Sequence, residues 1–308
     1  MIEPQEGMKV EEVIDWALYA EKGGYGYIFR SDHLLGLAAE KGENKEIDSS
    51  ECWVTLGAVA AKTAKVKFGP LVSPVGFRNS ALLARMACTL DSYSRGRMCL
   101  GLGAGWNEFE YKAHGYEFPP FKIRRKQVEE GYKIVRELTE GKRVDFDGEY
   151  FSAHVDCYPR PANGKVHLIG GGRHPKIVRT LAKYVDEWNV FNCPDETFQK
   201  LKQILLESRS SDRTIEISQM GSFLIAESQS KLDSKLKKFG QTRGLGSDPH
   251  EVANKLKEGG RLCGVVEEFV DQVNERVEAG IQKFYFQILD PTDREMVETL
   301  TDTLKTKF

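Results

Sequence analysis

A (β/α)8 TIM barrel with insertions is the α/β fold class that the sequence predicts, on three observations. Short apolar runs alternate with longer stretches of helical period, the pattern of parallel strands joined by covering helices. The length of 308 residues exceeds the usual compact domain but suits a barrel that carries insertions. No shift in composition marks a boundary, so residues 1–308 are expected to form a single domain.

The elements follow in order. Val10, Val13, Ile14, Ala17 and Leu18 make one helical stripe, which Gly23 and Gly24 stop before a strand over 27–29. Trp53 opens a second helix through Leu56 and Ala60, and a strand over 66–72 follows. Leu83, Met86, Ala87 and Leu90 share a helical face ahead of a buried strand over 98–102. Val128, Tyr132 and Val135 mark another helix. Residues 144–151, centred on Asp147 and Gly148, read as a hairpin inside an inserted segment near 144–160. Strands over 166–169, 187–191 and 220–226 come next. The last strand, 283–289, follows the stripe Val266, Phe269, Val270, Val273 and Val277. A second inserted segment, 227–260, is rich in Ser, Lys and Gly and reads as a mobile or partly helical excursion. Residues 1–4 are too short for a normal strand, so the first strand is expected to be abbreviated or truncated.

Lys and Arg number 44 against 46 Asp and Glu, a net charge of −2. That balance gives no general attraction to nucleic acid or an acidic membrane, and a small molecule is the expected partner. No apolar run reaches the roughly 18 residues of a membrane span. The first twenty residues carry charges throughout instead of a signal-peptide pattern, so a cytoplasmic location is expected. The six cysteines are scattered with no CxxC pair, so no zinc or other metal site and no disulfide framework is expected, and the thiols are read as reduced.

Catalytic groups of such barrels stand where strands end, in the βα loops of one face. After the strand at 27–29 come Asp32 and His33. Histidine titrates near neutrality, which makes His33 the foremost acid/base candidate; Asp32 orients it, or the two merely bond their loop. After 166–169 stand Gly170, Gly171, Gly172, Arg173, His174, Pro175 and Lys176, leading into a helix. Glycine amides and a helix N-terminus suit a phosphate, with a ligand-free tight turn as the plain alternative. His174 is a further candidate for anion binding. The loop lacks the GK[ST] ending of a nucleoside triphosphate site. After 98–102, Gly103, Ala104 and Gly105 leave room for a flat ring, and Trp106 is either a pocket wall or core. Their G-x-G-x-G spacing departs from the dinucleotide fingerprint, against a Rossmann fold.

Several segments occur in one order: IEPQEGM, FRSDHLL, FGPLVSPVGFRN, GRMCLGLGAGWNEFEYKAHGYEFPPF, LIGGGRHPK, VDEWNVF and GIQKFYFQILD. Together they resemble the luciferase-like monooxygenase superfamily, most closely its deazaflavin-dependent branch. The resemblance implies a barrel that binds coenzyme F420, or alternatively FMN, with Gly170, Gly171, Gly172 and Arg173 around the phosphate. It also implies a non-prolyl cis peptide at Leu71–Val72 pressing on the ring, and His33 handling a proton during hydride transfer. In the sugar-phosphate dehydrogenase members a glutamate acid follows the strand-four glycines, where this chain has Trp106, so sugar-phosphate oxidation is not expected. Relatives also begin several residues earlier, with a complete first strand, and homo-oligomers are common among them.

An F420-dependent oxidoreductase acting on a small organic substrate is therefore the expected function. An FMN-dependent monooxygenase using reduced flavin and oxygen, and a flavin-binding protein without catalysis, are the alternatives. Trp53, Trp106 and Glu108 are expected to wall the substrate side, together with loops over 34–50 and 227–260.

Overall fold

A computed structural model describes residues 1–36 and 48–308, so most of the expected 34–50 wall lies outside the described residues. Packing divides the chain into two compact units: residues 1–189 with 204–216, and residues 190–203 with 217–308.

In the first unit the improvised first strand is a single bridge. Ile2 pairs with Arg30 in parallel sense, its amide donating to the Phe29 carbonyl at 2.9 Å, and a 3-10 turn at Pro4–Glu6 follows at once. Helix α1 (Val10–Gly23) buries Val13, Trp16, Ala17 and Ala20, while Leu18 of the expected stripe is exposed. Strand β1 (Tyr27–Arg30) pairs in parallel with β2 (Lys67–Pro70), which follows α2 (Cys52–Lys62). The expected 66–72 strand is split here. The Leu71–Val72 peptide is cis, and the chain resumes as β3 (Ser73–Pro74), which pairs with β4 (Cys99–Gly103) after α3 (Ser80–Ser94).

Gly69 shows how tightly these strands approach: a Cβ placed there would run into the carbonyl of Cys99. Gly69→Ala is expected to cost about 1–3 kcal/mol of stability, because that carbonyl is backbone and cannot rotate aside. Urea unfolding of the variant, with its midpoint compared to the wild type, measures this.

Beyond β4 lie α4 (Glu108–Ala113) and α5 (Phe121–Thr139). The inserted hairpin is present as β5 (Val144–Asp147) against β6 (Ser152–Val155), antiparallel. Glu130 of α5 accepts the amides of Glu149, Tyr150 and Phe151, each at 2.9 Å, which ties its turn down. Strand β7 (His167–Gly171) pairs with β4 on one side and with β8 (Glu187–Phe191) on the other, with α6 (Pro175–Tyr184) between β7 and β8 in the chain. Glu187 is a fully buried acid at a strand start. His167 Nε2 faces it at 3.0 Å and also lies 3.7 Å from Glu216, so the buried carboxylate has a polar partner.

After α7 (Asp195–Ser208), strand β9 (Glu216–Ala226) is longer than the expected 220–226. The 227–260 excursion is two helices, α8 (Gln229–Arg243) and α9 (Pro249–Glu258), the second capped by Asp248 on the Glu251 amide at 2.9 Å. Strand β10 (Leu262–Val265), absent from the sequence reading, pairs with the far half of β9. After α10 (Val266–Glu278), strand β11 (Lys283–Gln287) pairs with the near half, and α11 (Arg294–Lys307) follows. The rings of Phe223, Phe269 and Phe286 meet at 5.3–6.2 Å in this second unit's core. Among the described residues, no helix is long and apolar enough to cross a membrane.

Candidate active site

Each of the candidate site residues named above belongs to the first unit. Arg30, at the end of β1, is buried, and its guanidinium donates to the Ser50 carbonyl at 2.9 Å and to the Thr55 hydroxyl. Those bonds bring the chain after residue 47 back onto the strand end. Asp32 is buried too, and both of its oxygens are taken. Arg78 grips it with two prongs at 2.6 and 3.2 Å, and the Ser73 hydroxyl donates at 2.5 Å. Trp53 donates its indole N–H to Ser73 at 3.2 Å, and Arg78 reaches on to Glu51. Burial works against the Arg78 charge, but Asp32 and Glu51 outweigh it and hold its pKa above the ordinary value.

Asp32 and His33 follow β1 as neighbours but have different partners. His33 turns instead to a residue that the sequence reading passed over. Its Nδ1–H donates to Glu110 Oε2 at 3.0 Å, and Glu110 Oε1 accepts the amides of Leu34 and Leu35, the latter at 3.1 Å. A carboxylate only accepts, so Nδ1 carries the proton and Nε2 is the nitrogen left over. Glu110 is 1% exposed and His33 18%. It is brought in by α4, whose start is fixed by the Asn107 side chain accepting the Glu110 amide at 3.1 Å. An Asn cap followed three residues on by a Glu was the available signal.

Burial alone would disfavour the His33 imidazolium, but the hydrogen bond and charge of Glu110, with the charges of Glu3 and Asp32, prevail and raise its pKa above 6.5. For Glu110 burial pushes upward, and His33 with the Leu34 and Leu35 amides more than reverses it, so its pKa is lowered. Glu3 belongs to a further buried chain: Gln5 donates to Glu3 at 2.7 Å, and the Ser31 hydroxyl donates to Gln5.

Trp106 stands edge-on to His33 with ring centroids 5.6 Å apart, and it is 57% exposed. It is therefore not a core residue. Trp53 is one, being 4% exposed and committed to Ser73. Glu108 is turned to solvent, where Lys112 pairs with it at 2.7 Å; as the first residue of α4 it lies outside the polar network, which its neighbour Glu110 enters.

The glycines serve the protein's own packing. A Cβ on Gly101, Gly103 or Gly171 would come within 2.9, 2.7 and 3.0 Å of the Val72 methyls, so three bare positions make the seat for that one side chain. Gly105, at φ +71°, lies against the Tyr111 hydroxyl, and Ala104 beside it is half-buried. Gly170 abuts Leu181 and Val185, and the Gly172 carbonyl accepts the Trp188 indole N–H at 2.9 Å. Arg173, His174 and Lys176 are exposed at the start of α6. His174 caps that helix, its Nδ1 accepting the Lys176 amide at 3.2 Å, so it occupies one of the amides assigned to a phosphate. Its ring lies 4.6 Å from Phe121, the first residue of α5, so the starts of α5 and α6 adjoin; Arg125 of α5 pairs with Glu129 at 3.7 Å. Asp32, Ser73, Val72 and Gly171 connect His33's loop to this helix start in one run of contacts.

Solved structures share this fold over almost the whole chain. An F420-dependent secondary alcohol dehydrogenase superposes with a TM-score of 0.77 at 21% identity, covering 98% of this chain and 97% of that one. A monooxygenase from Streptomyces bottropensis gives 0.79 at 19%, covering 96% and 92%. At such identities the likeness is one of fold, and the fold class is the (β/α)8 barrel. The family model for luciferase-like monooxygenases matches residues 2–283, and the chain belongs to that family. Among curated proteins it is similar to the F420-dependent glucose-6-phosphate dehydrogenase of Rhodococcus erythropolis, 34% identical over 180 residues, 57% of this chain and 51% of that protein. The chain thus spans about half the length of the curated relatives it matches.

Proposed function

We propose that the protein is an F420-dependent oxidoreductase that moves hydride between the deazaflavin and a small organic substrate. The observation that carries this reading is the half-buried His33, locked by Glu110 through Nδ1 and flanked by the exposed Trp106. When bound, the cofactor supplies the hydride donor or acceptor. His33 holds the matching proton at Nε2, giving it to a nascent alkoxide or taking it from a hydroxyl. Glu110 fixes the tautomer and steadies the imidazolium, while the Asp32–Arg78–Ser73 assembly keeps the loop in place.

The α6 N-terminus fits the acidic part of such a cofactor. Helix-start amides, Gly172, and the exposed Arg173 and Lys176 would hold an anion there, and the exposed Lys122 in the first turn of the adjoining α5 would add positive charge for a longer acidic tail. That added charge favours F420 over FMN. Trp106 in place of an acid, with Glu110 already committed, speaks against sugar phosphates as substrates. A cytoplasmic homo-oligomer without nucleic-acid or membrane partners belongs to the same proposal.

Equilibrium binding of oxidised F420 and of FMN, followed by their own fluorescence, tests the reading. F420 is expected to bind preferentially, and Arg173→Ala to weaken it about tenfold through the loss of one charge-assisted contact. Preferential FMN binding would favour the monooxygenase alternative, and binding of neither would remove the reading.

A further inference from the structure

Cys88 of α3 and Cys157, just past β6, stand 69 residues apart in the chain. Their Sγ atoms lie 3.4 Å apart, and both residues are buried. The backbones that carry them are already strapped together. Arg85, one turn before Cys88, donates to the Tyr158 carbonyl at 2.9 Å and to that of Asp156 at 3.5 Å. A cavity of about 200 Å³, lined by Ala81, Leu82, Arg85, Leu138, Asp156 and Cys157, reaches Cys157.

We propose that Cys88 and Cys157 are a disulfide-competent dithiol, a modification site that joins α3 to the exit of the inserted hairpin. The sulfurs need to close by about 1.4 Å to reach bonding distance, and the Arg85 strap keeps the two segments in register for it. The co-reactant is a small disulfide such as glutathione disulfide. Cys157, which meets the cavity, attacks it as thiolate, releasing one glutathione and forming a mixed disulfide. Cys88 then attacks the Cys157 sulfur and releases the second. Two protein thiols are oxidised by two electrons, one glutathione disulfide is reduced, and the two thiol protons end on two glutathiones. Burial raises the Cys88 pKa, so its thiolate is scarce and closure is slow at neutral pH, accelerating with alkalinity.

The native protein is incubated with glutathione disulfide at pH 7 and 9, quenched in acid, and mapped by mass spectrometry. Expected are a loss of about 2 Da, one peptide pair linking Cys88 to Cys157, a fall in titratable thiols from six to four, and a thermal midpoint raised by roughly 5 °C. Cys88→Ser is expected to stop at a glutathione adduct on Cys157, and Cys157→Ser to keep all five of its thiols. Six thiols after prolonged oxidation, a stable glutathione adduct on wild-type Cys157, or linkage only in urea would each overturn the proposal.

Discussion

Replacing His33 with alanine is expected to lower turnover by about 10²–10⁴-fold, the range that a positioned acid/base contributes. F420 affinity should change by less than threefold, because His33 contacts Glu110 and Trp106 whereas the proposed anion seat is at the start of α6. Steady-state rates over a panel of small alcohols and carbonyl compounds, beside cofactor fluorescence, separate the two effects. The pH profile carries independent information. Since Glu110 holds the His33 pKa above 6.5, carbonyl reduction, which needs the protonated ring, should persist past that pH and fall as pH rises through the raised value. Alcohol oxidation should show the opposite limb. Turnover of the alanine variant within threefold of wild type would mean that His33 does not handle the proton.

The sequence carried the position of this histidine but not its environment. Alternation of apolar runs with helical stripes is a local signal, so the parallel strands were legible almost one by one, as was the strand end at which Asp32 and His33 stand. Contacts between distant residues leave no such mark. Glu110 is 77 residues from His33, and nothing in the spacing joins them; Arg78 and Ser73 reach Asp32 across 46 and 41 residues. The same limit applies to Gly103, whose neighbour Val72 comes from the link between β2 and β3, some thirty residues away in the chain. Trp53 backs Ser73 for a reason equally hidden, since an aromatic residue at a helix start reads alike whether it faces a pocket or backs a hydroxyl. In 227–260 the polar composition hid two helices whose few inward residues, Leu232, Leu236, Val252 and Leu256, are enough to seat them.

Removing Glu110 should have the largest effect on stability. Glu110→Ala deprives His33 of its counter-charge and the Leu34 and Leu35 amides of their acceptor, in a place nearly closed to water. Breaking one side of a buried pair costs about 3–5 kcal/mol, to be read from urea unfolding. Glu110→Gln keeps the shape and isolates the charge. In the wild type the raised His33 pKa contributes stability that is complete below 6.5, the unfolded value, and is lost as pH rises through the folded one. The lowered Glu110 pKa contributes stability that is present above 4.5 and is lost as pH falls through its folded value. Both contributions overlap between 4.5 and 6.5. The stability gap between wild type and Glu110→Gln should therefore be widest in that interval and narrow on either side. The His33-dependent limb of the rate profile should move to lower pH in the same variant, because burial then acts with less opposition. A gap that stays constant from pH 4 to 9 would mean that Glu110 holds His33 as a neutral hydrogen-bond partner, and the proton handling assigned to the pair would fall with it.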